Sequence, residues 1–161
     1  MKKCHYRDHG NRQPDRCTGH SERCDKDRHS DPPLVLNIEE ATLENEKFRT
    51  TVWTGNDLQL TLMSIKPCED IGIEMHDDVD QFIRIEQGHA RVDMGECRHK
   101  LPYQKRACDG YAILIPAGTW HNITNVGDEC LKVYSLYAPP NHKRGTVHRI
   151  KADAEANEHH V

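Results

Sequence analysis

This sequence contains neither an apolar run long enough for a membrane-spanning helix nor the apolar segment of a secretory signal. Each absence bears on the expected location of the protein. No apolar run approaches the roughly 20 residues that a membrane-spanning helix needs. The N-terminus holds lysines with no apolar segment after them, so we expect no secretory signal and a cytoplasmic location. The formal net charge is only −4, which gives no reason to expect a nucleic-acid partner or a membrane partner.

Residues 1–33 also lack Leu, Ile, Val, Phe and Trp. Such a segment cannot bury enough apolar area to offset the entropy of ordering, so the pattern predicts a disordered tail. The tail is rich in thiol and imidazole groups, which suit Zn²⁺ or Cu, but their spacing matches no zinc-finger template. Two interpretations stay open, a solvated tail and a loose metal-binding or crosslinking tail. The groups concerned are Cys4, His5, His9, Cys17, His20, Cys24 and His29.

An ordered domain is expected over residues 34–150. Near its start, Asn37 is a suitable helix N-cap with Glu40 three residues later, which predicts a short helix from Ile38 to about Leu43. The polar segment 151–161 is expected to form a short helix or a frayed C-terminal tail.

Short apolar runs bounded by turn residues fill the rest of the domain. Leu58, Leu60 and Leu62 alternate with more polar residues, which is the period of a half-buried strand. Another strand is predicted over Ile71–His76, and a polar surface loop over Gly95–Asp109. No helix of crossover length separates the runs, so the pattern predicts an all-β sandwich or barrel.

Four side chains with metal-binding chemistry are expected to converge in this sheet structure. Glu74 and His76 are two residues apart and share one face of the predicted strand. Gln81 opens the next strand after a short turn, and His121 arrives from a different hairpin. Two imidazoles, a carboxylate and an amide oxygen, with no thiolate, favour a divalent Mn, Fe, Ni or Zn ion.

A spacing pattern in the second half of the chain resembles a known family motif. Gly110, Pro116, Gly118, His121 and Asn125 follow the order Gly-x5-Pro-x-Gly-x2-His-x3-Asn. This order matches the second motif of the cupin family at every defined position.

The upstream pattern resembles the first cupin motif in altered form. The usual motif is His-x-His, three or four residues, Glu, six residues and Gly. Here Glu74 stands in place of the first His, His76 matches the second, and Gln81 stands in place of the Glu. Gly88 lies at the expected position, so the spacing is kept while two ligand types change.

The resemblance implies a cupin-type double-stranded β-helix, a jelly-roll barrel with a metal inside its mouth. It assigns His76 and His121 as metal ligands, with Glu74 and Gln81 supplying oxygen ligands. Asp78 or Asp80 offers an alternative oxygen ligand, ranked lower because Asp78 falls in the predicted turn and Asp80 points away from the face of Gln81. The candidates to line the cavity are Trp53, Gln59, Thr61, Arg84, Tyr111, Trp120 and Tyr134.

The same resemblance suggests several activities for a small-molecule ligand. One is isomerase or epimerase chemistry on a sugar or sugar phosphate, with Glu74 as the catalytic proton carrier. The C-terminal sequence YAPPNHKRGTVHR is similar to that of small prokaryotic cupins loosely labelled mannose-6-phosphate-isomerase-like. Alternatives are an Fe(II) dioxygenase and a non-catalytic binding, storage or coat cupin. Because cupins commonly pair through their sheets, the resemblance also implies a homodimer.

Overall fold

The computed structural model describes residues 30–158. The Cys/His series of the predicted tail lies outside the described residues, and so does the C-terminal end, residues 159–161. Within the described range the chain forms nine strands and two short helices. In chain order these are α1 (Ile38–Glu44), β1 (Arg49–Thr54), β2 (Gln59–Ile65), β3 (Asp80–Gln87), β4 (His89–Gly95), β5 (Tyr103–Cys108), β6 (Ala112–Ile115), β7 (Trp120–Asn125), β8 (Leu131–Ala138), β9 (Val147–His148) and α2 (Lys151–Glu158).

The strands form two antiparallel sheets. The larger has the order β6-β3-β8-β2-β1-β9, and the smaller has the order β5-β4-β7. Strands β3 and β4 belong to different sheets although only Gly88 separates them, so the chain switches sheet at that glycine. This arrangement confirms the all-β jelly-roll prediction.

The apolar core fills the space between the two sheets. Along β3 the buried residues alternate with partly exposed ones, as the two-residue period of a strand requires. The largest side chains of the core, each almost fully buried, come from both sheets. They include Ile65, Ile83, Ile85, Ile123, Leu131 and Val133.

Helix α1 begins where its cap predicts. The Asn37 side chain accepts a hydrogen bond from the Glu40 backbone N–H at 3.3 Å, which confirms the N-cap. Neither helix in the described part of the chain is long and apolar enough to cross a membrane.

The predicted strand over Ile71–His76 is wrong. The segment makes only isolated bridges to β7, pairing Asp70 with Thr124 and Glu74 with His121. Gly72 between them has a φ of +90°, a conformation that interrupts a regular ladder. The segment is therefore extended chain that is fixed to β7 at separate points.

The predicted loop over Gly95–Asp109 is also wrong in its second half. Strand β5 runs from Tyr103 to Cys108 and pairs with β4 throughout. Most of its residues are exposed because β5 is an edge strand of the smaller sheet. Its polar composition reflects this edge position and conceals its strand character.

The two ends of the described chain are attached to the barrel. The Asp31 backbone N–H donates to the Thr54 carbonyl, and the Asp31 carboxylate accepts from the Thr54 N–H, each at 2.7 Å. At the other end, Ala154 of α2 is buried in the core and Lys151 pairs with Asp70. Of the two outcomes expected for the C-terminal segment, the structure has the helix.

Candidate metal centre

His121 lies on β7 with its ring inside the barrel and is fully buried. Its Nδ1 is 2.9 Å from the carbonyl oxygen of Thr119. A carbonyl can only accept, so Nδ1 carries the proton and donates it to this oxygen. The Nε2 lone pair is then free to bind a metal, which is the arrangement that orients metal-ligating histidines.

Glu74 and His76 are held against His121 by backbone pairing. The Glu74 N–H donates to the His121 carbonyl at 3.0 Å, and the His121 N–H donates to the Glu74 carbonyl at 2.9 Å. The Gly118 N–H donates to the His76 carbonyl at 2.7 Å. Backbone hydrogen bonds therefore hold the extended segment before β3 against β7 and against the turn between β6 and β7.

The three side chains meet at one point. Glu74 Oε1 is 3.5 Å from His76 Nε2 and 3.4 Å from His121 Nε2. All three atoms are buried without a hydrogen-bond partner, and they lie within 4.8 Å of one another. Ligands about 2.1 Å from a shared cation lie roughly 3.0–3.4 Å apart, so these side chains fit a divalent metal ion.

The charge state of Glu74 suits this role. Burial by itself raises the pKa of its carboxyl. The interactions with His121 and His76, together with the charge of Arg49, outweigh burial and hold the pKa of Glu74 well below its ordinary value. The Glu74 carboxyl is therefore ionised at neutral pH, as binding to a metal requires.

Gln81 lies on the inner face of β3, 3% exposed, and its Oε1 is buried without a hydrogen-bond partner. It is paired across the sheet with Tyr137, whose ring contacts His76 with 5.9 Å between ring centroids. Its place as the fourth ligand stays a prediction. Asp80 is exposed and accepts a hydrogen bond from the Ala117 N–H at 2.9 Å, while Asp78 is exposed in the turn.

A cavity of about 670 Å³ reaches Glu74 and His76. Of the side chains expected to line it, Trp120 does so, whereas Tyr111 lies at a different depression on the barrel surface. Gln59 acts indirectly. Its side chain bonds the backbone of Asn141 and both backbone groups of His142, and so holds that segment against the barrel.

Sequence reasoning missed several residues of this cavity, among them Arg49 and His142. His142 packs edge-on against Tyr137, with ring centroids 5.0 Å apart. Burial, and next the charge of Arg49, lower the pKa of His142 to about 3, so its ring is neutral at pH 7. Burial raises the pKa of Tyr137 to about 12, so its hydroxyl keeps its proton. No local pattern marks a buried arginine in a strand, because Arg is most often exposed.

Known proteins resemble this chain in sequence and in structure. A family model described as a cupin domain matches residues 61–137. The uncharacterized protein YrkC of Bacillus subtilis (strain 168) is 56% identical over 126 residues, which cover 78% of this chain and 68% of YrkC. The uncharacterized protein L612 of Acanthamoeba polyphaga mimivirus is 43% identical over 117 residues, which cover 70% of this chain and 69% of L612. The crystal structure of BH2720 from Bacillus halodurans superposes with a TM-score of 0.78 at 53% identity, covering 80% of this chain and 98% of that one.

Proposed function

Because this chain belongs to the cupin family, we propose that it is a metal-dependent enzyme whose Glu74, His76 and His121 hold one divalent cation. The observation that carries the proposal is the convergence of three buried ligand atoms that have no hydrogen-bond partner. The donor set of two imidazoles and one carboxylate suits Mn, Fe, Ni or Zn. Gln81 Oε1 is the proposed fourth ligand.

The proposed substrate is a small polar metabolite such as a sugar or sugar phosphate, and the proposed reaction is an isomerisation or epimerisation. A cation bound here supplies Lewis-acid polarisation of a substrate carbonyl. The ionised Glu74 is a weak base because its pKa is lowered, so we now assign it to metal binding instead of proton transfer. The neutral His142 ring at the cavity wall is available to accept a hydrogen bond from a substrate hydroxyl.

A second candidate is an Fe(II)-dependent dioxygenase. The specific observation in its favour is the ligand set itself, because two histidines and one carboxylate form the facial triad of non-haem iron oxygenases. A non-catalytic binding cupin is the remaining alternative, favoured by the altered first motif. The cytoplasmic location and the homodimer stay predictions.

Turnover of a sugar-phosphate panel tests the first proposal. Protein loaded separately with Mn²⁺, Zn²⁺ or Fe²⁺ is mixed with aldose and ketose phosphates, and isomer ratios are followed by NMR. We expect isomerisation that His121→Ala reduces at least a hundredfold, because the variant loses a ligand held inside the barrel. His99→Ala is the matched control, since His99 is exposed.

The outcomes separate the candidates. Oxygen consumption by the Fe²⁺ form, without isomerisation, would replace the isomerase with the dioxygenase. Ligand-induced thermal stabilisation that is the same with and without metal, and no turnover, would support the binding protein and contradict both enzymes.

A further inference from the structure

A buried arginine, Arg49, lines the same cavity as the candidate metal site. Arg49 begins β1, is paired with His148 of β9, and is 2% exposed. Its Nε is buried without a hydrogen-bond partner. Among the described residues, no carboxylate lies within ion-pair distance of its guanidinium.

Burying a guanidinium is costly unless it is paired and hydrogen-bonded. The neighbouring ring of Phe48 has its centroid 5.8 Å from Arg49 Cζ, a distance at which a cation is attracted to the ring face. The Nε–H still has no hydrogen-bond acceptor among the described residues. The described part of the chain therefore leaves hydrogen-bonding capacity of Arg49 unused.

Glu74 does not supply the missing counter-ion. The two groups are close enough for the positive charge of Arg49 to lower the pKa of Glu74. However, its Oε1 faces His76 and His121 at 3.5 and 3.4 Å and belongs to the metal site. Once a cation binds there, the negative charge of Glu74 is neutralised.

The rest of the cavity wall is also positive. Arg98 and Lys143 line it together with Arg49, while Glu74 is the one carboxylate among the described residues of the wall. Arg98 lies 5.7 Å from the centre of the Trp120 ring, which keeps its charge at the cavity rim. Three cations against one carboxylate favour the entry of anionic ligands.

We propose that Arg49 is the recognition site for an anionic oxygen group, a carboxylate or a phosphate, on the ligand of this cavity. The planar fork of the guanidinium matches two oxygens of either group, and burial strengthens the resulting charged hydrogen bonds. This proposal rests on the proposed function only in that both use the same cavity. It restricts the substrate to small molecules that carry an acidic group within reach of the metal centre.

Calorimetric titration of the full chain with malonate and with inorganic phosphate tests the proposal. The titrations use chelator-treated protein first, so that the metal does not bind the anion, and Mn²⁺-loaded protein second. We expect Arg49→Met to weaken binding of the preferred anion at least tenfold and Arg49→Lys to weaken it less, because Lys keeps the charge but loses the fork. The matched control is Arg106→Met, since Arg106 is exposed on β5 and lies outside this cavity.

A second measurement does not depend on how well Arg49→Met folds. The Nε–H signal of Arg49, identified by its loss in Arg49→Lys, should shift in a ¹H–¹⁵N NMR spectrum as the anion is added. Wild-type affinity in Arg49→Lys together with an unmoved Arg49 signal would overturn the proposal. The stronger of the two probes shows whether the acidic group is a carboxylate or a phosphate.

The two proposals can fail separately. Anion binding through Arg49 in a protein that takes up no metal would contradict the proposed enzyme and support the recognition site. Metal-dependent turnover that is unchanged in Arg49→Met, with no anion binding to the wild type, would contradict the recognition site alone.

Discussion

Burial of His142 in the cavity wall makes the folding stability of the protein depend on pH in the acidic range. The pKa of His142 in the folded protein is lowered to about 3 from an ordinary value of 6.5. Between these values the unfolded chain binds a proton at His142 that the folded chain does not. Folding stability supplied by the neutral ring is therefore complete above pH 6.5 and is lost progressively as the pH falls towards 3.

We expect His142→Gln to reduce the loss of stability between pH 6.5 and pH 5. A single uncompensated proton changes the free energy of unfolding by about 1.4 kcal/mol per pH unit, which is the upper limit of the effect. Urea unfolding of chelator-treated protein at several pH values measures the slope. His89→Gln removes an exposed imidazole and should keep the wild-type slope. Identical slopes in all three proteins would show that His142 takes up its proton equally well when folded.

Residues of the candidate metal centre were predictable to the extent that a local motif contains them. The spacing around His121 and around Glu74 and His76 places these side chains in two segments that the structure brings together. Arg49 and His142 reach the same cavity through β1, β9 and the chain between β8 and β9. Their sequence neighbours give no indication of this, because the contacts are set by strand pairing across the whole chain.

At the scale of elements, the turn between β3 and β4 depends on Gly88. Its φ is +98°, and an added Cβ would lie 3.2 Å from the Leu131 Cα and 3.4 Å from the Cys130 carbonyl oxygen. Gly110 has a similar φ of +84°, but an added Cβ there would meet no atom within 4 Å. Both glycines therefore have a positive φ, but only Gly88 lacks space for a side chain.

We therefore expect Gly88→Ala to destabilise the protein more than Gly110→Ala does. Both variants pay a left-handed backbone penalty of about 1–2 kcal/mol, and Gly88→Ala adds about 1 kcal/mol or more from the tight contacts. Chemical unfolding at pH 7 compares them. Equal losses would mean that the backbone near Leu131 moves aside without cost, contrary to the close packing seen at the sheet switch.

The elements that sequence reasoning predicted correctly are those with strong local signals. The N-cap at Asn37 is one example, and the presence of a strand at β2 is another. The half-buried alternation predicted there is wrong, because every residue of β2 is buried and Leu58 lies outside the strand and is exposed. Strand β5 was missed because an edge strand with exposed polar residues has the composition of a loop. The segment before β3 was predicted as a strand because its composition favours extended chain, while Gly72 and the separate bridges to β7 are visible only in three dimensions.

At the scale of the whole molecule, the barrel brings two distant segments to one point. The extended segment that carries Glu74 and His76 is bonded to β7, which carries His121, and the same backbone contacts set the separations of the three ligand atoms. The geometry of the proposed metal site is therefore a consequence of how the barrel closes, and we expect that its occupancy does not depend on the thiols near the N-terminus.

The metal content of the purified full chain tests this account most directly. Elemental analysis after loading with Mn²⁺ and removal of excess metal should give about one ion per chain in the wild type, in His99→Ala and in a variant with Cys4, Cys17 and Cys24 all changed to Ser. The metal content of His121→Ala should fall below about one tenth of that value, because the variant lacks one of the buried ligands. Wild-type metal content in His121→Ala, with a loss in the cysteine variant, would place the metal outside the barrel and contradict the account.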